Sequence, residues 1–151
     1  MIKRYGGAVL PGKVYRRRPG VYSILMRDGA ILITHQFEPK PEFQLPGGGI
    51  DPGESPSAAL HREVMEETGW HIANLRRLGV FRRFTHMPEY GFWAEKICTV
   101  YTARPVLKIA EPTEAGHFAV WMEPRAALRL LGNEGDRAML ARALKVQPVP
   151  R

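Results

Sequence analysis

Glu54, Arg62, Glu63, Glu66 and Glu67 crowd one short stretch of the chain, and their spacing is the first clue to chemistry. Residues three and four apart on a helix share a face. Glu63, Glu66 and Glu67 are therefore expected to point the same way, with Ala59 ahead of them on that face. Three neighbouring carboxylates repel one another unless something neutralises them. A hard divalent cation does so, and Mg2+ prefers oxygen ligands in octahedral geometry while keeping part of its water. Such an ion can bind diphosphate oxygens, offset charge in a transition state and acidify water. Arg62, rigid and permanently charged, is placed to steady the cluster, and Glu54 can reach it from just before the helix. Gly47, Gly48 and Gly49 form a glycine-rich turn whose backbone can approach a ligand without side-chain obstruction. Spacing alone leaves a second reading open, a solvated acidic helix face.

The elements that must position these residues can be read in outline. Ser55 is a good N-cap, Pro56 suits the first helical turn and Gly69 a C-cap, which predicts a helix body over Ser57 to Thr68. Leu60 and Val64, with Met65 nearby, give that helix an apolar stripe for packing on a sheet. Val21 to Thr34 reads as a hairpin turning at Arg27-Asp28-Gly29. The arginines Arg16, Arg17 and Arg18 precede its first strand. Gln44 and Leu45 suggest a short strand entering the glycine turn. Leu75 to Phe84, Gly91 to Thr102 and Phe118 to Trp121 read as strands, and Pro112 to His117 as a loop. Helices are expected from Glu123-Pro124 to about Leu131 and from Asp136 to Leu144. Asn133 to Asp136 reads as a simple turn between them, and Gln147 to Arg151 as a frayed tail. Strands mixed with helices in one small domain, residues 1–151, suggest an α/β (α+β) layered sandwich.

The segment over residues 48–70 resembles the signature of the Nudix hydrolase family (MutT-like and ADP-ribose pyrophosphatase-like members), Gly-x5-Glu-x7-Arg-Glu-U-x-Glu-Glu-x-Gly-U, with U a bulky apolar residue. Gly48, Glu54, Arg62, Glu63, Val64, Glu66, Glu67 and Gly69 match it, and Trp70 fills the last position with an aromatic residue in place of the usual aliphatic one. The resemblance implies an α/β/α sandwich with a mixed β-sheet between helices. It implies that Glu63, Glu66 and Glu67, with the backbone carbonyl of Gly47, hold Mg2+, with Mn2+ as a substitute. Arg62 would orient the glutamates, with Glu54 in support. Water would attack one phosphorus of a nucleoside diphosphate linked to another moiety. The general base is either a motif glutamate or an acidic residue on a distant loop, where Glu111 and Glu114 are the candidates. Many relatives are homodimers, so a homodimer is a further expectation.

The substrate is less legible. Arg16, Arg18, Phe37, Gly48, Gly49, His86 and Tyr90 are the candidate contacts, with Phe43, Phe84, Phe92 and Trp93 as further aromatics for stacking. The five histidines show no ligand spacing, and each reads first as a surface or core residue. ADP-ribose enzymes of the family often carry a proline at the position of His86, whereas the proline here is Pro88. Enzymes for dinucleoside polyphosphates carry a tyrosine slightly earlier than Tyr90. The lead-in Leu45 to Ile50 resembles members acting on nucleotide sugars or nucleoside triphosphates more than RNA 5′-end enzymes. The reading leans to ADP-ribose or a nucleotide sugar. Its rivals are a nucleoside triphosphate or RNA 5′-end pyrophosphohydrolase, and a non-enzymatic nucleotide sensor or interaction module.

Composition bounds these readings. The 151 residues carry a formal net charge of +7, with 44% hydrophobic and 25% charged residues, ordinary for a globular domain. A basic surface favours anionic partners, yet no zinc-finger spacing or long basic helix marks a nucleic-acid binder beyond an RNA 5′ end. No apolar run approaches the roughly 18 residues of a membrane span, and the amino terminus lacks a signal-like apolar run. A cytoplasmic location is expected. Cys98, the single cysteine, sits in an apolar run and reads as an inert buried thiol.

Overall fold

A computed structural model describes residues 2–148. The tail expected to fray lies partly outside them, since 149–151 are not described. The chain runs β1 (Lys3–Arg4), β2 (Tyr15–Arg27), β3 (Ala30–Gln36), β4 (Glu42–Gln44), β5 (Gly47–Gly49), α1 (Pro56–Thr68), β6 (Trp70–Met87), β7 (Phe92–Lys108), β8 (His117–Met122), α2 (Pro124–Leu130) and α3 (Glu134–Leu144).

The strands form one mixed sheet in the order β1-β6-β7-β2-β3-β4, with β5 paired to β2 and β8 to β3. β2 runs parallel to β7 along eleven residues, Tyr15↔Trp93 through Leu25↔Ala103. This register makes β2 the central organiser. Its middle, Gly20 to Tyr22, pairs with β5, and its end, Met26 and Arg27, pairs with β3.

Period-two alternation sends neighbouring side chains to opposite faces, and the two cores follow from it. Val21, Leu25, Leu32 and Ala103 face one way and bury Ala59, Leu60 and Val64 of α1. Ile24, Ile31, Ile33 and Val100 face the other way and bury Ala127 and Leu128 of α2 with Met139 and Leu140 of α3. Helices on both faces give the α/β/α sandwich that was expected. Leu60 is fully buried, so truncating it to alanine costs about 2–5 kcal/mol.

α1 has the predicted termini. The Ser55 hydroxyl accepts from the Ala58 N–H at 3.1 Å, and Gly69, at φ 76°, closes the helix by donating to Met65 O at 2.9 Å.

Five details differ from the sequence reading. Arg16, Arg17 and Arg18 lie within β2 and do not precede it, because β7 extends far enough to pair with them. The glycine segment is a strand, β5, and not a turn, because the lack of side chains lets it lie flat against β2. Leu45 lies beyond the short strand β4 and is fully buried. Ala59 belongs to the apolar core and not to the carboxylate face. The segment Asn133 to Asp136 is no simple turn. Asn133 is the N-cap of α3, accepting from the Asp136 N–H at 2.7 Å. Beyond these, β6 and β7 are longer than anticipated, and β1 has no signal in the sequence.

Candidate active site

α1 and β5 set the site together. Gly48 lies so close to α1 that a Cβ added there would sit 2.5 Å from the Glu63 carboxyl carbon. Oε1 of Glu67 accepts the Gly47 N–H at 2.8 Å, and Glu67 is only 4% exposed. The glycines therefore let a strand backbone lie against the carboxylates.

Arg62 ties the cluster together. Its Nε and Nη2 donate to Oε2 and Oε1 of Glu54 at 2.7 and 2.9 Å, a two-point fork. Nη1 donates to Oε1 of Glu63 at 3.0 Å and, more weakly, to Oε2 of Glu66 at 3.4 Å. Nη2 also donates to the Gly49 carbonyl at 3.1 Å. One guanidinium thus spans the loop, β5 and two turns of α1.

The electrostatics follow from these contacts. The Arg62 fork, helped by the Asp51 N–H, holds the Glu54 carboxyl down at about 2. Glu54 in turn pushes the Arg62 guanidinium further above its ordinary value. Burial pushes Glu63 up, against the pull of Arg62. Burial also raises Glu67 well above the usual carboxylate range; the Gly47 N–H opposes this, and Glu114, Glu63 and Glu66 add to it. Negative oxygens are thus held together at a cost to their charged forms, and a cation reverses that cost.

A distant loop completes the site. Thr113 and Glu114 donate their N–H groups to the Glu66 carbonyl at 2.8 and 3.2 Å, and Ile109 and Ala110 donate theirs to the Gly69 carbonyl at 2.8 and 3.3 Å. These bonds satisfy carbonyls that the end of α1 leaves open and bring Glu114 over the carboxylates. One oxygen each from Glu63, Glu66 and Glu114 lie within 4.8 Å of one another, a donor set that suits a hard divalent ion. A second group, Glu67, Glu114 and His117, meets the same limit.

The sequence candidates separate in space. Arg18, Gly47, Gly48, Gly49, Glu63, Glu67, Tyr90 and Glu114 line one cleft. Glu54, Arg62 and Glu66 stand behind it, joined through the Arg62 contacts. Glu111 is turned away and pairs with Lys108 at 3.1 Å. Arg16 lies over the Phe92 ring. Phe37 packs beside His35 and Phe118. His86 packs on Trp93 and lines a different depression. These three lie outside the cleft lining.

The cleft also holds residues that sequence reasoning missed, notably Tyr22, Arg83, Lys96, His117 and Asp136. They come from five different elements. Only strand alternation could have hinted at Arg83 and Lys96, which sit directly opposite each other in the β6–β7 register. Among the described residues, no helix is long and apolar enough to cross a membrane.

A family model described as the NUDIX domain matches residues 14–143. The chain belongs to the Nudix family. Among curated relatives it is 36% identical over 64 residues to a putative 8-oxo-dGTP diphosphatase of Bacillus subtilis, covering 42% of this chain and 43% of that protein. It is 40% identical over 57 residues to an RNA pyrophosphohydrolase of Helicobacter pylori, covering 34% of this chain and 37% of that one. The matched stretches thus span less than half of these relatives. A NUDIX hydrolase from Nitrosomonas europaea superposes with a TM-score of 0.69 at 20% identity, over 89% of this chain and 94% of that one. A MutT NUDIX hydrolase from Burkholderia pseudomallei does so with 0.67 at 23% identity, over 84% and 98%. Likeness at that identity speaks for the shared Nudix fold.

Proposed function

We propose that this Nudix protein hydrolyses a phosphoanhydride bond in a nucleoside diphosphate linked to another moiety, with ADP-ribose or a nucleotide sugar as the first substrates to test. The observation that carries the reading is the convergence of Glu63, Glu67 and Glu114 in one cleft with Arg18, Arg83 and Lys96, where an oxygen of Glu66 comes within 4.8 Å of Glu63 and Glu114. Carboxylates suit Mg2+ or Mn2+, and the three cations suit the phosphates around the ion. In this reading Glu63, Glu66, Glu67 and the Gly47 carbonyl hold the ion, and Arg62 with Glu54 fixes the glutamates. Once bound, the ion offsets charge on the diphosphate oxygens and acidifies water. Glu114 is the general base. Its carboxylate takes a proton from the attacking water while the water oxygen bonds to one phosphorus and the bridging P–O bond breaks. Arg18, Gly48, Gly49 and Tyr90 border the substrate.

A second reading has specific support. Arg18, Arg83 and Lys96 give one cleft three cationic contacts, which also suit a longer phosphate chain, and two curated relatives are named for 8-oxo-dGTP and for RNA. A nucleoside triphosphate or a triphosphorylated RNA 5′ end is therefore the alternative substrate. A panel followed by phosphorus NMR with Mg2+ separates the readings. ADP-ribose should give AMP and ribose 5-phosphate, and a triphosphate should give monophosphate and pyrophosphate. No cleavage of any member would contradict both and favour a non-enzymatic module.

A further inference from the structure

We propose that one face of β2 and β7 is a track for single-stranded RNA, where Arg16, Arg18, Tyr90 and Phe92 stack the bases that follow a 5′ end held in the cleft. The inference deepens the second reading above and rests on it for the choice of RNA, the strand whose synthesis leaves a 5′ triphosphate.

The track begins inside the cleft. Arg18 of β2 sits beside Lys96 of β7, and Lys96 beside Arg83 of β6, so three cations form a row across three neighbouring strands. Like charges directly opposite on neighbouring strands are destabilising, and bound phosphates relieve that repulsion. All three line the cleft.

Alternation carries the same face outward along β2, from Arg18 to Arg16, and along β7, from Lys96 through Ala94 to Phe92. Here cations interleave with rings. The Arg16 guanidinium lies 4.7 Å from the centre of the Phe92 ring, and that of Arg18 lies 4.9 Å from Tyr90 and 5.7 Å from Phe92. The two rings are themselves stacked, 5.7 Å apart with 20° between their planes. Tyr90 is 56% exposed, which leaves ring surface open to a base. Arg17 shows the contrast. Alternation sends it to the opposite face, where Glu95 pairs with it and with Arg82. Arg16 and Arg18 have no carboxylate partner among the described residues. Rings and guanidinium planes stack unpaired bases while cations follow the backbone, which is the chemistry of single-strand binding. Arg16 and Phe92 lie outside the cleft lining. A ligand confined to the cleft does not need them, and one that leaves it along β2 does.

The probe is an RNA hexanucleotide with a 5′ monophosphate, which has no anhydride to cleave. In calorimetric titrations of the full chain with Mg2+ present, it should bind at least about tenfold more tightly than AMP and than an abasic strand of the same length. Arg16→Ala, at an exposed side chain, and Phe92→Leu, which keeps apolar bulk, should each cut the preference over AMP at least about fivefold. Equal affinity for the hexanucleotide and AMP overturns the proposal. Equal affinity for the abasic strand does so too, because charge alone would then explain binding. An undiminished preference in Arg16→Ala also overturns it, whether or not Phe92→Leu folds. Failure of the second reading shows elsewhere, as triphosphorylated RNA left intact in the substrate panel.

Discussion

At the scale of single residues, the site is a set of charges kept where water alone would not favour them. Glu67 is the extreme case, buried and hydrogen-bonded at one oxygen only. In Glu67→Gln the amide oxygen can still accept from Gly47, but the charge is gone. Turnover is expected to fall by about 10²–10³ or more, while far-UV circular dichroism and the metal-free melting temperature stay at or above wild type. Unchanged turnover would remove Glu67 from the chemistry. Asp136 is buried for a different purpose, accepting the Leu45 N–H at 3.2 Å and so tying α3 to the segment that leads into β5. Burial pushes its carboxyl from 3.8 up to about 6. The unfolded chain then loses the proton first as pH rises, so this group's contribution to stability falls between about pH 4 and 6 and is flat above. The shift corresponds to about 3 kcal/mol. Other carboxylates titrate nearby, Glu54 in the opposite sense, so the comparison with Asp136→Asn isolates the effect. The variant should gain stability relative to wild type as pH rises through that window, measured by urea unfolding. A constant difference across the window would contradict it.

At the scale of elements, the loop from Ile109 to Gly116 is delivered by the end of α1. Gly69 makes this possible twice, through its left-handed φ and because a Cβ there would overlap the Ala110 carbonyl oxygen. Gly69→Ala should cost about 1–3 kcal/mol in urea unfolding and lower turnover beyond that, because Glu114 rides on the displaced loop. A stability loss with full activity would show that the docking of the loop is not needed for chemistry. This element also shows where the sequence was readable. α1 was legible from cap to cap, since Ser55, Pro56 and Gly69 act locally and the carboxylate spacing is a property of the helix alone. The hairpin of β2 and β3 was legible from its apolar runs and the Arg27-Asp28-Gly29 turn, while burial on both faces of the sheet was not, because those runs carry no alternation. The strand β5 was not, because glycines carry no pattern and only pairing with β2 defines it. That Glu114 and not Glu111 lines the cleft was not legible either, since backbone hydrogen bonds to Glu66 and an ion pair of Glu111 with Lys108 decide their placement. His117, Arg83 and Lys96 reach the cleft through tertiary packing, which spacing along the chain does not record.

At the scale of the whole molecule, a net charge of +7 surrounds an acidic cluster with basic walls. The field favours approach of an anionic substrate, and salt screens it over a Debye length of about 10 Å at 0.1 M. Raising ionic strength should therefore raise KM with little change in kcat, whichever phosphoanhydride is cleaved. A KM indifferent to salt would place recognition in short-range contacts alone. The fold, the cleft and the charge all converge on the oxygens of Glu63, Glu66, Glu67 and Glu114. The most direct test is the rate of nucleotide phosphoanhydride hydrolysis as a chelator lowers free Mg2+ and added Mg2+ then replaces it. The rate should fall to background and return in full. A rate that persists through chelation would contradict a cation held by these carboxylates as the source of the activity.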